Sequence, residues 1–310
     1  MYIGIDIGGT KCAVVSSSGD GTIKKKIRFA TENKDQALKQ ILEAVEALGP
    51  ATAIGISCGG PLDEEKGIIL SPPNLPGWDR VEIVDMLKER FSVPVKIRND
   101  ANACALAEWR FGAGKGYDNV IFLTCGTGFG GGLILNGRLY AGSTGNAGEI
   151  GHVRLSDHGP AGYGKIGSVE GFCSGTGIRE AGRMLAREAL QRGETPLFLQ
   201  SKNLETFDTA DLAEAARRGD QTAGDVFALC GRMLGRSLAI LCDILDPQVI
   251  IIGSVYARCR DLLEQPTLHE LKKEALAPTA KCSVTVPLLG EQIGDMAALA
   301  VAMEAYDEVR

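Results

Sequence analysis

Tyr2-Ile3-Gly4-Ile5-Asp6-Ile7-Gly8-Gly9-Thr10-Lys11 is an apolar, β-prone run that breaks at a glycine turn, and Val120-Ile121-Phe122-Leu123-Thr124-Cys125-Gly126-Thr127-Gly128 repeats the pattern later in the chain. Each turn leads into a second β-prone stretch, residues 12–16 after the first and 133–135 after the second. A further tight turn follows in each copy, Ser18-Gly19-Asp20-Gly21 or Asn136-Gly137, and then a third strand, residues 22–29 or 138–141. Two copies of strand, glycine turn, strand, hairpin, strand point to a duplicated α/β unit. Such a duplication forms a cleft in which the two glycine turns face one ligand.

The glycine turns are not dinucleotide or Walker loops. Gly126-Thr127-Gly128-Phe129-Gly130-Gly131 satisfies G-x-G-x-x-G, but that fingerprint needs a helix immediately after it to aim an N-terminus at pyrophosphate, and here a strand and an Asn-Gly turn follow. Gly8-Gly9-Thr10-Lys11 lacks the spacing of a Walker A loop and also runs into a strand. Hairpin turns of this kind still bind phosphate, because successive glycines let backbone N–H groups approach an anion.

Outside the repeat, helical periodicity spans residues 34–48, 81–91, 101–111, 178–191, 210–218, 222–245, 261–276 and 292–309, with strands at 52–57, 95–98, 249–252 and 283–288. The boundary is set at 116/117, within Gly112-Ala113-Gly114-Lys115-Gly116. This gives an N-terminal α/β domain, residues 1–116, and a larger C-terminal α/β domain, residues 117–310, whose last helix packs back on the first. The 310 residues carry a net charge of −6 with no long basic run, so neither a nucleic-acid footprint nor an anionic-membrane patch is visible. No signal peptide or 18-residue apolar stretch is present, and a cytoplasmic location is expected. The nine cysteines are scattered singly, which argues against a disulfide framework. Of the 40 glycines, 17 fall within residues 125–178, where backbone must come close to a ligand.

Asp6-Ile7-Gly8-Gly9-Thr10-Lys11, Asn99-Asp100-Ala101-Asn102-Ala103, Gly126-Thr127-Gly128 and Gly148-Glu149-Ile150-Gly151-His152, in this order and spacing, resemble the ROK sugar kinases of the actin and hexokinase superfamily. The resemblance covers essentially the whole chain. It implies an α/β, duplicated actin-like (ribonuclease H-like) fold with two domains around a central cleft. It also implies ATP-dependent phosphorylation of a hexose, usually at the 6-hydroxyl, with Mg²⁺ accompanying the ATP. Glucose stands first, with N-acetylmannosamine, N-acetylglucosamine, allose, fructose or a β-glucoside as alternatives. The family often forms homodimers. Its sugar-sensing repressors carry a DNA-binding segment ahead of the first glycine motif, for which a motif beginning at Asp6 leaves no room.

Within that resemblance Asp100 aligns with the base that accepts the sugar hydroxyl's proton. Position alone reads the same residue as a helix N-cap. Asn99, Glu149, His152, Glu170, Asn74 and Gly60 align with sugar-contacting positions, and an amide such as Asn99 offers hydroxyls both a donor and an acceptor. Gly8, Gly9, Thr10 and Lys11 align with the first phosphate loop, and Gly126, Thr127 and Gly128 with the second. Asp6 would orient the magnesium ion through water, and Gly253 and Ser254 would meet the adenosine.

One departure is chemical. The family usually places three cysteines after the histidine of its G-E-I-G-H motif, and these hold a structural zinc with that histidine; here the aligned positions are Ala161, Tyr163 and Ser168. His152 alone cannot complete a tetrahedral site, so no structural zinc is expected. Metal analysis of the purified protein should therefore find no stoichiometric zinc, and one zinc per chain would overturn this reading of residues 161–168.

Overall fold

Isoleucines at alternating positions drive the first strand. In the computed structural model, which describes all 310 residues, Ile3, Ile5 and Ile7 of β1 (Tyr2–Ile7) are buried on one face. β2 (Lys11–Ser17) and β3 (Ile23–Ala30) follow antiparallel to it, and β4 (Ala53–Cys58) pairs parallel on its other side. The short β5 (Leu62–Asp63) and β6 (Ile68–Ile69) form a two-stranded ladder, and β7 (Val95–Asn99) closes the first sheet beside β4. The sheet order is β3-β2-β1-β4-β7.

The helices of this half obey their sequence signals. α1 (Lys34–Leu48) starts where the Asn33 side chain accepts the Gln36 N–H at 3.0 Å, and it stops at Gly49, whose φ of 98° suits glycine. Its face of Ala37, Ile41, Ala44, Val45 and Leu48 enters the core with the isoleucines of β1 and β4. α2 (Ile83–Phe91) adds Ile83, Val84 and Leu87, and α3 (Asp100–Phe111) leaves directly from the end of β7.

The second sheet repeats the plan. β8 (Val120–Cys125), β9 (Phe129–Leu135) and β10 (Arg138–Leu139) are joined by β13 (Val249–Ile252) and β14 (Ser283–Thr285) in the order β10-β9-β8-β13-β14. β13 runs parallel to both β8 and β14. The glycine turn is shorter than residues 126–132, because Gly130, Gly131 and Gly132 pair as part of β9. A side chain on Gly131 would press on Leu123 and Gly148, and one on Gly132 would press on Ala101 and Ala105, so these glycines serve close packing rather than turning.

A small hairpin, β11 (Ala161–Gly162) and β12 (Lys165–Ile166), precedes α4 (Val169–Cys173) and α5 (Gly175–Gln191). α6 (Thr209–Arg217), α7 (Gln221–Leu245), α8 (Val255–Arg258), α9 (Arg260–Glu274) and α10 (Ile293–Asp307) complete the chain. α7 receives α9 closely through its own glycines: a side chain on Gly231 would meet the Pro266 ring at 2.5 Å, and one on Gly235 the Thr267 carbonyl at 2.5 Å.

Two compact units result. The first comprises Met1–Asp118, Gly132–Ala147 and Pro287–Arg310, and the second Asn119–Gly131 and Gly148–Val286. Residues 132–147 and 287–310, which a single cut at 116/117 assigns to the C-terminal half, thus group with the first unit. The last helix belongs there because β1 and β4 carry register partners without side chains, Gly4 and Gly55. A Cβ on Gly4 would lie 2.7 Å from the Leu299 amide nitrogen, and one on Gly55 would overlap the Ala302 nitrogen and the Ala298 carbonyl oxygen. The backbone of α10 therefore rests directly on the sheet. Gly55→Ala is expected to cost about 3 kcal/mol or more in chemical denaturation, because the obstructing atoms are backbone and cannot move aside; a loss below about 1 kcal/mol would contradict this packing.

Candidate active site

In the first unit the candidate residues gather at the C-terminal ends of β1, β4 and β7. The turn after β1 closes through the Gly8 N–H to the Lys11 carbonyl at 3.0 Å, while the Thr31 hydroxyl donates to the Gly8 carbonyl at 2.7 Å. Gly9 lies hard against the Asn74 backbone, with room for no side chain at position 9. Asn74 and the first glycine turn, 65 residues apart in the chain, are thus one piece of structure. Gly60 and Asn74 are exposed, and the Asn74 amide flanks Gly59. Thr10 and Lys11 are exposed on the same turn.

Asp6, half-buried near the end of β1, has its pKa pushed up to about 6, first by desolvation and then by repulsion from Asp295 and Asp100. Lys26 and Lys11 act in the opposite direction. Lys26 is itself held by Asp295, at 2.5 Å.

At the start of α3 the N-cap is Asn99, not Asp100: the Asn99 Oδ1 accepts the Asn102 N–H at 2.7 Å. Asp100 is the first helical residue, and its Oδ1 accepts the Ala101 N–H at 2.9 Å. Solvent reaches the Asp100 side chain, yet protein atoms crowd it closely enough that desolvation raises its pKa.

A residue that the sequence reading passed over supports this corner. Glu64 accepts the Asn99 backbone N–H at 2.7 Å and the Asn102 side-chain amide at 3.3 Å through one oxygen, and Arg98 at 2.7 Å through the other. Arg98 also forks onto Glu304 of α10 at 2.7 and 3.0 Å. Nothing in Asp63-Glu64-Glu65-Lys66 marks Glu64 out from its neighbours; only the fold turns it inward, with 6% of its side chain exposed.

In the second unit three separated motifs meet. The turn after β8 closes through the Gly126 N–H to the Gly128 carbonyl at 3.0 Å, and the Gly175 N–H reaches the Gly126 carbonyl at 2.7 Å. Glu170, in the first turn of α4, accepts the Phe129 N–H at 3.0 Å, and its carboxylate passes within 2.9 Å of where a Gly128 side chain would begin. Gly151 packs on the Phe129 carbonyl. Glu149 and His152 are therefore brought beside the same turn, and both are exposed. The His152 ring stands edge-on to Tyr163, with centroids 5.1 Å apart.

Gly253 is fixed to β8 by its N–H to the Leu123 carbonyl at 2.9 Å, and Ser254 follows at a φ of 58°, strained for a residue with a side chain. Beside them lies a cavity of about 370 Å³ whose wall includes Gly126, Thr127 and Ser254. Thr176, from a run that the sequence reads as a helix cap, shares that wall with Arg179, Asp208 and Arg258, which the sequence does not single out. Ser174 caps α5 by accepting the Gly177 N–H at 2.9 Å, so this run starts a helix while its Gly175 and Thr176 line the cavity.

Hydrogen bonds hold the segment from which the family's cysteines are missing. Ala161 lies in β11, Tyr163 in the hairpin turn, and Ser168 caps α4 by accepting the Gly171 N–H at 3.1 Å. The Gly167 carbonyl accepts from Leu155 and Ser156, the Val169 N–H reaches the Val153 carbonyl, and Lys165 donates to the His152 carbonyl at 2.7 Å. No group of three or more His, Cys, Asp or Glu side chains is placed to hold a metal ion by itself.

A family model described as "ROK family" matches residues 2–305. The glucokinase of Thermotoga maritima is 34% identical, over 97% of each chain, and that of Streptomyces coelicolor is 31% identical, over 99% of this chain and 98% of its own. Among solved structures, a ROK family glucokinase from Streptomyces griseus in complex with glucose and AMPPNP is 32% identical. It covers 98% of this chain and 99% of its own, with a TM-score of 0.75.

The raised pKa of Asp6 has a stability consequence. Because the folded protein disfavours the ionised form, the contribution of Asp6 is most favourable below its ordinary pKa of 3.8 and is lost as pH rises through about 6. Asp6→Asn should therefore unfold at higher denaturant than the parent at pH 8, by about 1–2 kcal/mol after allowance for its partial exposure. The difference should shrink toward zero near pH 4; a gain that does not vary with pH would refute the assignment.

Proposed function

The chain belongs to the ROK family, and we propose that it is an ATP-dependent hexose kinase that transfers the γ-phosphate of ATP to the 6-hydroxyl of a hexose, with glucose the first candidate. The observation that carries this reading is Asp100. It stands at the end of a parallel strand, is fixed through one oxygen by the Ala101 amide, and is made more basic than an ordinary carboxylate by desolvation. Phosphoryl transfer asks a protein mainly for positioning and charge neutralisation, plus one group to take the attacking hydroxyl's proton. Asp100 is that group in our reading.

Asn99 would donate its side-chain N–H to a sugar hydroxyl, since its carbonyl is engaged in capping α3. Glu149, His152 and Glu170 in the second unit, with Asn74 and Gly60 in the first, would supply the other sugar contacts. Two of these also touch phosphate loops: Asn74 buttresses Gly9, and Glu170 accepts from Phe129. Gly8, Gly9, Thr10 and Lys11, with Gly126, Thr127 and Gly128, would present backbone N–H groups and one ammonium to the phosphates. Gly253, Ser254 and the adjoining cavity would receive the adenosine.

Asp6 suits a magnesium ion that arrives with ATP. It is a half-buried carboxylate repelled by two others, a state that a cation relieves, and magnesium keeps most of its water while binding one or two carboxylates and the phosphates. When bound, the ion would neutralise phosphate charge. No helix is long and apolar enough to cross a membrane, and the partners in this reading are a sugar and ATP in the cytoplasm.

An ATP-coupled assay across hexoses and N-acetylhexosamines tests the proposal; no turnover with any of them would end it. Asp100→Asn should fold and bind sugar while turnover falls by about 10²–10⁴. Turnover close to normal would remove Asp100 as the base.

A further inference from the structure

β11 and β12 are joined by two residues, Tyr163 and Gly164, both at positive φ, 47° and 76°. Hairpin turns of this hand ordinarily take Asn-Gly or Asp-Gly, because a short polar side chain tolerates the left-handed region and a bulky one is strained there. This chain places a tyrosine at the demanding position. Burial does not compensate the strain, since Tyr163 is 81% exposed, the most exposed large hydrophobic residue in the structure. A strained backbone carrying an exposed aromatic ring is a pattern that persists at ligand-binding sites.

The surroundings of the ring indicate what it meets. Its edge-to-face contact with His152, at 5.1 Å and 73°, leaves most of its surface open. Gly162, the preceding residue, is pressed so closely onto α4 that a Cβ there would lie 2.8 Å from the Glu170 Cβ and 2.5 Å from the Gly171 nitrogen. Lys165, just beyond the turn, donates to the His152 carbonyl at 2.7 Å. The hairpin is thus secured at both ends to residues that offer polar groups to sugar hydroxyls, while its tip offers an apolar face. A pyranose has both kinds of surface: hydroxyls around its rim and C–H bonds across a face, and the latter pack against aromatic rings.

We infer that Tyr163 is a sugar-recognition residue whose ring forms an apolar wall for the C–H face of a pyranose held at His152 and Glu170. The inference rests on the hexose kinase reading and extends its sugar site by one residue on the hairpin. Tyr163→Asn removes the ring and installs the side chain that the turn prefers, so stability and recognition should move in opposite directions. Calorimetric titration of D-glucose into the full-length protein should show its Kd rising about tenfold in Tyr163→Asn. The melting temperature should rise by a few degrees, and the KM for ATP should stay within twofold. Tyr163→Phe, which keeps the ring, should retain the parental Kd within twofold. A Kd in Tyr163→Asn within twofold of the parent would overturn the assignment while leaving the kinase reading standing. A parent protein that neither binds nor phosphorylates any hexose of the panel would overturn both.

Discussion

Two missing side chains organise the first unit. Gly4 and Gly55 are register partners on neighbouring parallel strands, and together they leave a bare strip of sheet on which the backbone of α10 lies. The helix answers with small residues, Ala297, Ala298, Ala300 and Ala302, all fully buried. So close an approach maximises dispersion contacts. It also fixes the last helix in rotation and translation against β1 and β4. Everything that α10 carries toward the candidate site inherits that fixity.

What α10 carries is mainly negative charge. Asp295, near its start, binds Lys26 and repels Asp6, which helps to hold that carboxyl at a pKa of about 6. Further along, Glu304 takes the fork of Arg98 and also approaches Lys96 at 3.4 Å, while Glu308 pairs with Lys96 too. Arg98 then engages Glu64, which grips the Asn99 amide immediately before Asp100. A chain of charge-assisted bonds therefore runs from the C-terminal helix to Asn99, the residue next to the proposed base. Its members are mostly buried, where each bond is stronger than at the surface and each missing partner costs more.

The second unit meets a different demand, to hold a glycine-rich loop in which Ala161, Tyr163 and Ser168 stand where the family has cysteines. Backbone hydrogen bonds from 153, 155, 156 and 167, the Ser168 cap and the Lys165 contact share that task. Individually these bonds are modest, each on the order of 1 kcal/mol net. Their convergence on Gly167 and on the first turn of α4 sets Glu170 against the second glycine turn. The hairpin tip remains free of the cage, which leaves Tyr163 projecting beside His152.

Local pattern was enough for the duplicated α/β plan: strands ending in glycine turns, helices with a 3.6-residue apolar period, and the order of motifs that places the chain among the ROK proteins. α1 is an instance in which cap, period and terminator all lie within one short stretch, from Asn33 to Gly49. Where a glycine's role depends on what faces it, local pattern misled, as at Gly130, Gly131 and Gly132, which pair within β9 instead of turning. Only the tertiary structure could show Glu64 beneath Asn99, Asn74 against Gly9, Glu170 on the Phe129 amide, or Arg179 and Asp208 beside Ser254. Each of these is a contact between residues far apart in the chain, created by strand register and helix approach. A side chain's neighbours across such a contact leave no periodic trace in the sequence, because the distance that matters is through space.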